Sequence, residues 1–123
     1  MVKIGLVSIK KPKDWDYSIG SEYSNVSKPL HFFSKQIHPQ IFIGIVITPP
    51  SVYGGYYRII VKKYYLKTSF IPLHIKDLHG IPLDIVNNVE TMTEIDSPYP
   101  EDVKRFLLQS FKEYGRVIKT RTK

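Results

Sequence analysis

The chain has 123 residues, 42% of them hydrophobic, which suffices for one domain with its own core and is too little for two. It carries a formal net charge of +7 and no cysteine, so disulfides, thiolate nucleophiles and Cys-based zinc sites are excluded. Its most apolar run, Ile41 to Ile47, is far shorter than the roughly 20 residues that a membrane-spanning helix needs.

Val2 to Ile9 reads as an opening strand, since apolar residues recur along it with small or polar ones between. Lys10 to Ser27 reads as a mobile loop, spanning residues 10–28 with its flank, in which the only tryptophan, Trp15, stands among Lys10, Lys11 and Lys13. The start of the chain has no apolar stretch of the kind that marks a signal peptide, so the expectation is a cytoplasmic protein with no membrane role.

Pro29 to Ile37 fits a short strand. Ile41 to Thr48 is the clearest strand, β-branched and apolar on both faces, and Pro49-Pro50 closes it. Gly54-Gly55 is a turn, and Tyr56 to Leu66 is a strand that forms a hairpin with the preceding one. Ile71-Pro72-Leu73-His74-Ile75 recurs as Ile81-Pro82-Leu83-Asp84-Ile85, which suggests a second hairpin with its prolines at edges. For 85–95 a helical stripe (Ile85, Val89, Met92) competes with an alternating strand (Val89, Thr91, Thr93, Ile95), and the strand is preferred. Pro98, Pro100, Glu101 and Asp102 suit a helix start. Val103, Phe106, Leu107, Phe111 and Tyr114 follow at helical spacing, which predicts an amphipathic helix over Pro100 to Tyr114 with Gly115 as its cap.

The expected architecture is therefore α+β: a small curled antiparallel sheet, or an SH3/OB-like barrel, with one C-terminal amphipathic helix. It occupies residues 1–115 as one domain, and 116–123 form a basic tail.

The charges come in blocks. Between Glu22 and Asp77 there is no acid, from Asp77 through Asp102 there is no lysine or arginine, and from Lys104 onward the chain is basic again. Such segregation points to a polyanionic partner. On an even-numbered strand face Tyr56, Arg58, Lys62 and Tyr64 would interleave rings with cations, as single-stranded nucleic-acid surfaces do, and Lys63 extends the patch. Lys10, Lys11 and Lys13 with Trp15, and the tail Arg116 to Lys123, would act as basic arms. The opposing reading makes the tyrosines rim residues and the lysines an ordinary solvated edge. The acidic block could instead face the basic ones, within one chain, in a homo-oligomer or against a basic protein partner.

His74, Asp77 and His79 have too poor a geometry for a metal, and no metal or cofactor is expected. With Arg58 they are the available set for metal-free RNA cleavage. Asp84, Glu90, Glu94 and Asp96 could chelate Mg²⁺, and Asp102-Val103-Lys104 has a nuclease-like spacing that a helix start explains better. Trp15 to Ser21, with Ile19-Gly20-Ser21-Glu22, and the run Ile71 to Asp96 ahead of a terminal helix resemble the MazF-type toxin endoribonucleases, small SH3-like barrels of about this size. The resemblance implies an RNA-cleaving alternative. The arginine-proline pair of that family is absent, with Lys28-Pro29 standing nearest. The leading expectation is a non-enzymatic domain that binds DNA or RNA. An endoribonuclease and a protein-interaction subunit that docks through the acidic segment are the alternatives. Isoleucine and lysine richness without alanine further suggests an AT-rich genome, viral or heat-adapted.

Overall fold

The computed structural model describes residues 1–20, 30–50, 54–67 and 86–118. The opening segment is not one strand but two, β1 (Val2–Ile4) and β2 (Val7–Ile9), paired antiparallel with Ile4 opposite Val7. Gly5 makes this hairpin possible. Its φ of 58° lies in the left-handed region that only glycine enters without cost, so the chain reverses in two residues.

The main sheet has five strands in sequential order: β3 (Asp16–Gly20), β4 (Leu30–His38), β5 (Ile41–Thr48), β6 (Tyr57–Leu66) and β7 (Val86–Ser97). Each pairs antiparallel with the next. β5 lies at the centre as its doubly apolar pattern requires, and 86–97 is a strand. Gly54 and Gly55, both at positive φ, turn the chain into β6. No pairing of β3 with β7 occurs among the described residues, so the architecture is an α+β meander and not a demonstrated barrel. The second hairpin expected over 71–85 lies outside the described residues.

Helix α1 spans Pro100–Tyr114, with proline in its first turn beside Glu101 and Asp102. The Ser97 hydroxyl organises the approach, accepting from the Tyr99 N–H at 3.1 Å and donating to Asp102 Oδ2 at 3.2 Å. Gly115 follows the helix at φ −87°, so it is not there for a left-handed cap. It is there for space, because a Cβ would press on the Phe111 carbonyl and come within 3.0 Å of the Trp15 ring.

One face of the sheet presents Phe33, Ile43, Ile45, Ile47, Ile59 and Val61, all buried. The β1–β2 hairpin lays Ile4, Val7 and Ile9 into the same core, and α1 adds Val103, Leu107 and Phe111. Each such side chain removed from water contributes ~1.5–3 kcal/mol. On the other face Gly44 leaves room for aromatic rings: Tyr64 stacks on Phe42 with centroids 4.9 Å apart and meets Phe32 edge-on at 6.4 Å. Among the described residues no helix is long and apolar enough to cross a membrane.

Candidate nucleic-acid interface

Part of the segment expected as a loop, Asp16–Gly20, is strand β3, and the residues before it that carry Lys10, Lys11 and Lys13 are joined to the core through Trp15. Trp15 is only 2% exposed and packs on Phe111 at 5.1 Å, while Phe111 in turn packs edge-on against Phe33 at 5.2 Å. A wholly buried indole cannot stack on a base, so Trp15 is a core residue and not a contact residue. The loop closes through its own backbone as well: the Trp15 N–H donates to the Pro12 carbonyl at 3.2 Å. The Lys11 ammonium donates to the Pro12 and Trp15 carbonyls at 3.1 and 2.5 Å. Lys11 is thus spent on shaping the loop, and Lys10 and Lys13 are its exposed cations.

The same loop meets the end of α1. Lys35 on β4 donates to Asp14 Oδ2 at 2.6 Å and to the Gly115 carbonyl at 2.5 Å. This contact holds the Asp14 carboxyl below its ordinary range, chiefly through the Lys35 hydrogen bond. Just past Gly115 the chain is tied once more, the Ile118 N–H donating to the Ile37 carbonyl at 2.8 Å. Lys112 in the last helical turn and Arg116 are exposed there. Two basic segments a hundred positions apart in sequence therefore converge at the C-terminal end of the helix, where its dipole also favours cations. The tail beyond Ile118 lies outside the described residues.

The β6 candidates are placed differently. Arg58, Lys62, Lys63 and Tyr64 are half-buried on the strand and Tyr56 is exposed just before it. β7 brings acids alongside: Arg58 stands opposite Asp96 and Lys63 opposite Glu90. Arg58 also reaches Glu94 at 3.6 Å, Tyr65 donates to Glu90 at 3.2 Å, and Lys63 sits over the Tyr65 ring at 5.3 Å. The acidic and basic blocks thus meet within one chain, across neighbouring strands. Tyr64, the intended stacking platform, is engaged with Phe42 and Phe32.

His74, Asp77 and His79, expected to act with Arg58 in RNA cleavage, lie outside the described residues. Among the described residues no group of three His, Asp or Glu side chains could hold a metal ion. A histidine that sequence reasoning passed over stands out instead. His31 on β4 is buried, and its Nδ1 lies 2.6 Å from the Tyr17 hydroxyl of β3. Burial pushes the His31 imidazolium towards neutrality and raises the Tyr17 phenol above its usual value. The signal available in sequence was only that both residues fall on the core-facing parity of their strands.

No known protein family, curated protein or solved structure matches this chain.

Proposed function

We propose that this chain is a nucleic-acid-binding domain whose contact surface is the basic end built from the Lys10–Asp14 loop and the C-terminal end of α1. The observation that carries this reading is the Lys35 bridge. It joins Asp14 to Gly115, and so brings together the two segments that carry Lys10 and Lys13 on one side and Lys112 and Arg116 on the other, all four exposed. Clustered cations of this kind meet phosphates without reading sequence, and each phosphate neutralised on a duplex adds about 0.9 to the salt slope. The β6 strand supports the reading less, since β7 offsets its charge.

Titration of labelled single-stranded and duplex DNA and RNA at several salt concentrations tests the reading. Salt-sensitive binding with intact strands supports it, weakened strongly by Lys10→Glu, Lys13→Glu and Arg116→Glu together and less by Lys62→Glu with Lys63→Glu. The opposite ranking would move the surface to β6. Fragmented strands would favour the endoribonuclease reading, and no binding at low salt would refute the proposal.

A further inference from the structure

A cavity of 650 Å³ opens where α1 begins, at the other end of the helix from the basic surface and about 20 Å away for a 15-residue helix. Three connections border it. The β1–β2 turn contributes Leu6, the β5–β6 connection contributes Pro49 and Pro50, and the approach to the helix contributes Pro98 and Pro100. Its volume lies within the range of sites that enclose small ligands, and its make-up is of that kind too, mostly apolar with few polar groups.

The polar groups are His31 and Tyr57. A phenol is a stronger hydrogen-bond donor than a neutral imidazole, and the imidazole nitrogen is the stronger acceptor. The 2.6 Å contact is therefore assigned as Tyr17 donating to His31 Nδ1, which leaves the imidazole proton on Nε2. The Tyr57 oxygen accepts the Leu6 N–H at 2.8 Å and keeps its own proton to give. Among the described residues two neutral donors are thus left unspent.

None of the described lining residues carries a charge. A charged ligand would give up part of its hydration there with no counter-ion among the described lining residues. An uncharged ligand with carbonyl or ring-nitrogen acceptors meets no such cost. Proline rings, rigid and apolar, form flat walls for a planar ring. Neutral, planar and rich in acceptors describes a nucleobase.

We propose that the cavity under Leu6 binds an uncharged nucleobase, held between its proline walls by the His31 imidazole and the Tyr57 hydroxyl. This goes beyond the basic surface and does not depend on it, because a free nucleoside has no phosphate for that surface to hold.

Amide chemical-shift titration of the whole chain with adenosine, guanosine, cytidine and uridine, each to millimolar concentration, is the test. The expected result is saturable shifts at Leu6, Gly55 and Tyr57 with at least one nucleoside, of equal affinity in low and high salt. Binding should weaken several-fold in His31→Gln. It should also weaken in Leu6→Glu, where the side chain is 86% exposed and the fold is not at risk. No saturable shift with any nucleoside, or shifts confined to Lys13 and Arg116, would overturn the proposal. Oligonucleotide binding that persists in that case would leave the basic surface standing, and nucleoside binding without oligonucleotide binding would do the reverse.

Discussion

The Lys35 ammonium donates to the Gly115 carbonyl at 2.5 Å across eighty positions of sequence, and the same nitrogen holds Asp14. The Lys35 side chain is 12% exposed and that of Asp14 61%, so the lysine is the buried partner. Lys35→Met should cost ~1.5–3 kcal/mol, since hydrogen bonds to a charged group are lost. Asp14→Asn should cost under about 1 kcal/mol, as solvent screens an exposed carboxylate. Urea unfolding of both variants checks the order. Oligonucleotide affinity should fall in Lys35→Met, because the loop and the helix end are no longer held together.

Trp15 is the only tryptophan, so the intrinsic fluorescence of the protein reports on one buried indole. Emission should be blue-shifted, resistant to added quencher and unchanged at saturating oligonucleotide. Strong quenching on binding would mean that the ring does reach the ligand. Trp15→Ala should destabilise by ~3–5 kcal/mol, the usual consequence of emptying a large aromatic site.

His31 gives stability a defined pH dependence. Burial lowers its folded value below the 6.5 of an exposed imidazole, so the unfolded chain takes up the proton first. Its contribution is complete above 6.5 and is lost as pH falls from there through the lowered folded value. Within that window one proton accounts for at most about 1.4 kcal/mol per pH unit. Chemical unfolding at a series of pH values should show this slope, and His31→Gln should remove it.

Gly44→Ala should cost ~1–3 kcal/mol. The added methyl would collide with Phe32 and stand 2.8 Å from Tyr64 Cε2, and both rings are packed beside Phe42. Thermal unfolding measures the loss, and an unchanged midpoint would mean that the rings yield.

Sequence periodicity located most of the described elements, because β5 and α1 carry strong patterns and their bounding prolines and glycines are unambiguous. It missed the β1–β2 hairpin, since a two-residue turn at Gly5 leaves the alternation on either side almost unbroken. It placed Trp15 outside the core for a physical reason as well: three lysines in its neighbourhood suggest solvent, and nothing local reveals that Phe111 and Gly115, about a hundred residues on, have shaped a recess for the ring. The convergence of the two basic segments and the pairing of Arg58 with Glu94 are likewise products of tertiary structure. Composition announced that opposite charges were segregated but not that neighbouring strands would bring them together.

The strand order has a bearing on how the chain acquires its shape during synthesis. From β4 on, every strand of the main sheet bonds to the one made just before it, so the sheet can grow in step with elongation, with the longest closure falling between β6 and β7. The core is another matter. Ile4, Val7 and Ile9 share a core with Val103, Leu107 and Phe111 of α1, which is made about a hundred residues later. A nascent chain halted before residue 100 would present those isoleucines and the Trp15 indole to solvent, and would depend on a chaperone or on speed until the helix arrives to close over them.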